Sequence, residues 1–159
     1  MDSGFETIGN ATLIVYDGRP VLVTDPWVEG HAYFGSWTRA HEIPEEQMEA
    51  IKQCEYVWVS HGHPDHLSIR SLNLLKDKKI LLGDHVGGRI HGDLRRLGFN
   101  VQVLRDREWT NLSAHLNVMC VTDYNQDSLL LVDIGGSLLV NLNDMTAKGW
   151  GLWCRKPYV

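Results

Sequence analysis

The chain has 159 residues, 15 Lys and Arg against 20 Asp and Glu, a formal charge of −5, and 43% hydrophobic and 22% charged residues. That is one globular domain's worth of sequence: too short for two full-sized domains and too apolar for a disordered chain. It is also too acidic for nucleic acid or an anionic membrane to be the default partner. No apolar run approaches the roughly 20 residues that span a bilayer, and the start Met1-Asp2-Ser3-Gly4 lacks the basic and then apolar stretch of a secretory signal. The expectation is a cytoplasmic protein with a small-molecule substrate, no nucleic acid and no membrane partner.

Taken in chain order, residues 11–16 (ATLIVY) and 21–24 (VLVT) read as two strands around the turn Asp17-Gly18-Arg19-Pro20, a hairpin signature. Asp25-Pro26 ends the second strand, because proline cannot continue a central strand. From Trp27 to Pro44 the chain is aromatic and glycine-rich, a long loop of the kind that carries function. A helix is predicted from Pro44, with Glu45 and Glu46 suited to its N-terminus. Residues 55–60 (EYVWVS) read as a buried strand, 68–76 as a helix, 79–83 as a strand, and 87–97 as a helix capped by Gly98. The remainder is β-rich, with strands predicted over 101–104, 108–112, 116–122, 128–133 and 137–142, the last two joined by Gly135-Gly136. Strand–helix alternation followed by a run of strands points to a layered α/β domain. There are no repeats and no linker. Cys54, Cys120 and Cys154, odd in number and widely spaced, read as buried thiols rather than disulfide or metal-clip residues.

The strongest chemical signal is His61-Gly62-His63-Pro64-Asp65-His66, which follows the buried strand directly. In α/β proteins, the carboxyl end of a strand is where ligands bind. Three imidazoles and a carboxylate in one turn are ligands suited to zinc or iron. Packing alone does not explain them. Gly62 and Pro64 are compact spacers, so His61 and His63 can point one way while Asp65 and His66 fan out to a second point, which suits two metals.

This HxHxDH pattern resembles the signature of the metallo-β-lactamase superfamily. The stretches Asp25-Pro26-Trp27, Gly30, Tyr33-Phe34, Trp37 and His41-Glu42-Ile43-Pro44 resemble the N-terminal loop of the metallo-β-lactamase-like domain of CMP-N-acetylneuraminate hydroxylase-type proteins. The resemblance implies an αββα sandwich, of which this chain carries the N-terminal half. It implies that His61 and His63 bind one metal and that Asp65 and His66 bind a second. Asp144, in Leu142-Asn143-Asp144 after a hairpin, inherits the role of the superfamily's bridging aspartate; otherwise it caps a turn. Two cations roughly 3.5–4 Å apart need such an anionic bridge. The superfamily's third ligand to the first metal is usually a histidine one hairpin before that aspartate. The matching loop, residues 122–127, has none, and Asp123 falls nearest the expected place, with Asp127 as the alternative. Asp25 is expected to orient a ligand imidazole. His85 is expected beside the site and His41 near it or near substrate, while His31, His91 and His115 read as surface or structural residues.

The resemblance implies a metal-dependent hydrolase with two zinc ions, iron or manganese being possible. A metal-bound hydroxide would be the nucleophile, oriented by Asp65 as the catalytic residue or by Asp144. Two rivals stand beside it: a di-iron redox or hydroxylase-type domain that needs a partner, and a degenerate domain that binds ligand without turnover. Superfamily members continue well beyond the bridging aspartate and gain a last histidine ligand there, whereas residues 145–159 contain no histidine. A homodimer or second polypeptide completing the fold is therefore expected, with Trp150, Trp153 and Tyr158 suited to covering an exposed sheet face.

Overall fold

A computed structural model describes residues 3–123 and 126–145 of the chain. Cys154, Trp150, Trp153 and Tyr158 lie outside the described residues. The element order is β1 (Ser3–Gly9), β2 (Thr12–Asp17), β3 (Arg19–Thr24), α1 (Glu45–Gln53), β4 (Tyr56–Val59), α2 (Ile69–Leu74), β5 (Lys79–Gly83), α3 (Arg89–Arg96), β6 (Asn100–Leu104), β7 (Trp109–Asn111), β8 (Leu116–Thr122), β9 (Ser128–Ile134) and β10 (Ser137–Asn141). Strand β1 is not among the expected elements. It is an edge strand in which only Ile8 is buried, so its sequence lacks the apolar run that marks β4. Helix α2 is shorter than expected, because Ser68 is its cap and Leu75 already leaves helical geometry.

The first sheet runs β1-β2-β3-β4-β5-β6. Strands β1 to β3 are an antiparallel meander; the β2–β3 hairpin turns at Gly18, whose φ of +70° favours glycine. A register shift beside Tyr16 lets Pro20 lie within the pair, as a bulge permits. Strands β3 to β6 are parallel. Each parallel step needs a crossover, and right-handed crossovers fall on one face. One core accordingly joins Ile51 of α1, Leu72 of α2 and Leu94 of α3 to Val23, Val57, Val59, Ile80 and Leu82. Side chains alternate along a strand, so Leu22, Trp58 and Leu81 point the other way. There they meet the second sheet, whose order is β10-β9-β8-β7, through Leu116, Val118, Cys120, Leu130 and Val132. Both faces of β4 are thus covered, which is why all four of its residues are buried.

The layers are helices, parallel-dominated sheet, antiparallel sheet. The outer face of the second sheet carries a third apolar cluster, Val121, Leu129, Leu131 and Met145, to which no described helix contributes. What matters for function is the parallel register: Thr24 pairs with Trp58 and Val59 with Leu82. The segments that leave β3, β4 and β5 emerge side by side, bringing Asp25, the turn from Ser60 to His66, and His85 to one edge of the sheet.

Candidate metal centre

The turn after β4 places its four candidate ligands at different depths. His61, Asp65 and His66 are buried, while the side chain of His63 is 58% exposed. His61 Nε2 and His63 Nδ1 are 2.6 Å apart, with the two rings edge to face at 83°. Asp144 Oδ2 lies 3.7 Å from His61 Nε2 and 3.9 Å from His63 Nδ1. One donor atom from each of these three residues falls within 4.8 Å of the others, which is room for one cation. The other oxygen of Asp144 is 3.7 Å from His66 Nε2, and that nitrogen is 3.5 Å from Asp65 Oδ2. The carboxylate of Asp144 therefore presents one oxygen to the His61/His63 pair and the other to the Asp65/His66 pair. Imidazole nitrogens with carboxylate oxygens form a donor set that fits zinc or iron.

The ring nitrogens facing away from this cluster are held from behind. Asp25 is fully buried, and its backbone adopts the left-handed φ of +40°, strained for a residue with a side chain. Its N–H donates to Trp58 O at 2.8 Å and its carbonyl accepts from the Thr12 hydroxyl at 2.8 Å. Its carboxylate receives the Ser60 N–H at 2.7 Å and lies 3.1 Å from His66 Nδ1. Asp127 Oδ1 is 3.4 Å from His61 Nδ1. Asp65 is held in the same way: Tyr33 donates its O–H to Oδ1 at 2.9 Å, and Asn10 Nδ2 donates to Oδ2 at 3.2 Å.

These surroundings move the titrations apart. Burial alone would raise Asp65, but the Tyr33 and Asn10 hydrogen bonds and nearby His66 hold its carboxyl below the usual range. Burial would lower His66, but the hydrogen bond and charge of Asp25, with Asp65 and Asp144, hold it above the usual imidazole value. His61 is lowered, chiefly by burial and by its neighbour His66. The Tyr33 phenol is pushed up to about 12 by burial and by its bond to Asp65, so it stays a donor.

Among the other expected residues, Asp123 is not in the donor cluster. Its Oδ1 accepts the Asp127 N–H at 3.0 Å and its own N–H donates to Asp127 O at 2.9 Å, which closes the loop before β9 and turns Asp127 toward His61. His85 is buried with its Nε2 unpartnered, and its imidazole is lowered by burial first and then by His61. His41 Nε2 lies 3.0 Å from Ile8 O, in the wall of a small cavity shared with Trp27 and Trp37. Sequence reasoning did not single out Asn10, Tyr33 as a partner of Asp65, or Ser60. Only Ser60 carried a usable signal, because it lies between a buried strand and the histidines.

The centre opens on two sides. A groove of about 770 Å³ runs past His61 and His63 along Leu67, Ile90 and Leu94. A second cleft, of about 480 Å³, is lined by Asn10, Tyr33, Trp37, Asp65, His66 and Asp144.

Two layered sheets with helices on one face match part of the αββα metallo-β-lactamase fold, the fold of the solved structures that superpose on the described residues. CmlA, a diiron β-hydroxylase from Streptomyces venezuelae, superposes with a TM-score of 0.70 at 17% identity, over 88% of this chain and 29% of that one. An isothiocyanate hydrolase from Delia radicum gut bacteria superposes with a TM-score of 0.62 at 20% identity, over 82% of this chain and 58% of that one. In sequence, the cytidine monophosphate-N-acetylneuraminic acid hydroxylase of Danio rerio is 29% identical over 153 residues. The match covers 91% of this chain and 26% of the relative, so the chain spans about a quarter of that protein's length. No family model matches the chain.

Proposed function

We propose that the chain is the metal-binding part of a metal-dependent hydrolase acting on a small-molecule substrate. The observation that carries this reading is the carboxylate of Asp144, with one oxygen toward His61 and His63 and the other toward His66. His61 Nε2, His63 Nδ1 and Asp144 would hold one cation, and Asp65 and His66, with the second Asp144 oxygen, another. When bound, such cations supply Lewis acidity and bring the pKa of a water from 15.7 to about 7. The protein groups do the rest. Asp65, kept below the usual carboxylate range by Tyr33 and Asn10, is an acceptor at neutral pH and would orient a nucleophilic water through its carboxylate. Tyr33 and Asn10 keep that carboxylate from turning away. The Asn10–Tyr33–Trp37 cleft would seat a polar substrate at the Asp65 side of the centre.

The hydroxylase relative from Danio rerio supports a second reading, a hydroxylase-type domain with iron at the same residues. That chemistry needs an electron donor, so it needs a partner, whereas hydrolysis needs only the cations these residues would hold, and water. A partner polypeptide or a second copy of the chain would also cover the outer face of the second sheet. The test is turnover of a panel of ester, amide and phosphoester substrates by protein reconstituted separately with zinc and with iron. Hydrolysis by the zinc form in the absence of oxygen supports the first reading. Turnover confined to the iron form, with oxygen and a reductant, replaces it with the second.

A further inference from the structure

We propose that the Ser60 hydroxyl is a positioning group that fixes the tautomers of His61 and His66 together, so that both metal positions gain or lose their imidazole donor as a unit. The inference rests on the reading of these residues as a metal centre, but its first test does not.

Ser60 is fully buried and its Oγ has three polar neighbours: Asp25 Oδ2 at 2.8 Å, His61 Nδ1 at 2.9 Å and His66 Nδ1 at 3.2 Å. A hydroxyl has one proton to donate and two lone pairs to accept with. Asp25 Oδ1 already accepts the Ser60 N–H at 2.7 Å, and Asp25 is fully buried, so its Oδ2 depends on the donors at hand: the Ser60 hydroxyl and His66 Nδ1 at 3.1 Å. One proton assignment saturates the hydroxyl and gives Asp25 Oδ2 both of its donors, with His61 Nε2 left to accept from His63 Nδ1 at 2.6 Å. Ser60 donates to Asp25, and both Nδ1 atoms carry hydrogen and donate into the Ser60/Asp25 pair. Asp127 Oδ1, 3.4 Å from His61 Nδ1, favours the same proton position from the other side.

In that assignment both Nε2 atoms keep their lone pairs. Those are the atoms facing Asp144 (3.7 Å from each) and, for His66, Asp65 at 3.5 Å. If the hydroxyl proton turns to either Nδ1, that ring carries its hydrogen on Nε2 and cannot ligate. Asp25 Oδ2 then keeps only His66 Nδ1 as donor, or none if His66 is the ring that turns, in a site that water does not reach, a cost of the kind that keeps buried polar groups paired. One hydroxyl thus touches a ligand of each metal position and is saturated only when both rings are in the ligating form. The carbonyl of Ser60 is pinned by the Ser128 hydroxyl at 2.6 Å, which keeps the residue from sliding out of this arrangement.

The first measurement uses the unmutated, metal-free chain. Long-range proton–nitrogen correlation of the imidazole rings is recorded at an alkaline pH where both rings are neutral. The expected result is that His61 and His66 both carry their proton on Nδ1; a majority Nε2–H form for either ring overturns the proposal. The second uses Ser60→Ala and Asp25→Asn, with metal affinity read by chelator competition using zinc alone. In Ser60→Ala the Nδ1–H preference of both rings is expected to weaken, with only Asp25 left to hold His66 and Asp127 to hold His61, and both zinc affinities to fall together by about 10–100-fold. In Asp25→Asn, the amide nitrogen facing Ser60 and His66 is expected to drive His66 to the Nε2–H form. A change confined to one ring or one zinc position in Ser60→Ala refutes the coupling. If the unmutated chain binds no zinc while both rings are Nδ1–H, the metal reading fails and the hydroxyl's role in setting the tautomers stands.

Discussion

Replacing Tyr33 with phenylalanine removes one oxygen from the site and leaves the packing in place. The ring still lies 4.8 Å from that of Trp37, so the loop keeps its aromatic contact. What goes is the 2.9 Å hydrogen bond to Asp65 Oδ1, the stronger of the two side-chain hydrogen bonds that hold the Asp65 carboxyl below its usual range. A hydrogen bond to a charged acceptor contributes about 1.5–3 kcal/mol, and because Tyr33 is only half-buried, water recovers part of it. The net loss is about 1–2 kcal/mol, which for an aligned ligand is a fall of roughly 5–30-fold in metal affinity. The sign of the pH effect follows from the same bond. Asp65 is depressed when folded, so its contribution is present above the unfolded carboxyl value and disappears as pH falls through the folded one. Without the Tyr33 donor the folded value rises, protons compete with the cation sooner, and metal should be released at a higher pH. Chelator competition against pH checks both. Unchanged affinity with an unchanged release midpoint would refute the role given to Tyr33 and, with it, the placing of Asp65 among the ligands.

Three other outcomes follow from the packing around the site. Ser128→Ala strands the buried Ser60 carbonyl and should cost about 1–3 kcal/mol in urea unfolding; a loss below about 0.5 kcal/mol would mean that the 2.6 Å contact contributes nothing. Gly83→Ala puts a Cβ 2.7 Å from Thr122 Cγ2 and 3.1 Å from Cys120 Sγ, so it should destabilise by about 1–3 kcal/mol, against near-neutrality for Gly92→Ala, which meets nothing within 4 Å. The thiols of Cys54 and Cys120 are both pushed up to about 12 by burial. Their folded values exceed the unfolded value of 9.0, so their contribution is intact below that pH and is lost as pH climbs toward 12. Denaturant midpoints should fall through that window, and fall less in a Cys54→Ala, Cys120→Ala double variant, where the raised phenols of Tyr16 and Tyr33 still titrate.

The parts of the fold that were legible are those written in a short local code. Strand β4 could be read because both of its faces are buried and its four residues are all apolar. The β9–β10 hairpin could be read because Gly135 and Gly136 both need positive φ. Strand β1 could not, since an edge strand buries one side chain and is held by a backbone ladder to β2 that no composition records. The candidate site divides in the same way. His61, His63, Asp65 and His66 stand out because they are consecutive and follow a strand. The partners that orient them come from far along the chain: Asn10 and Tyr33 reach Asp65 across 55 and 32 residues, and Ser128 reaches Ser60 across 68. Asp123 and Asp127 show the limit of reading by position. Both lie in the right loop, yet it is the Asp127 carboxylate that lies toward His61, while the Asp123 carboxylate accepts the Asp127 N–H.

The central claim, a metal centre built on the turn after β4, is tested most directly by elemental analysis of the purified full chain and of its His61→Ala, His63→Ala double variant. The account predicts about two transition-metal ions per site in the unmutated protein, with the variant losing at least the ion shared by His61, His63 and Asp144 while remaining folded. Equal metal content in the two proteins, or none in the unmutated chain after reconstitution with zinc and with iron, would contradict it.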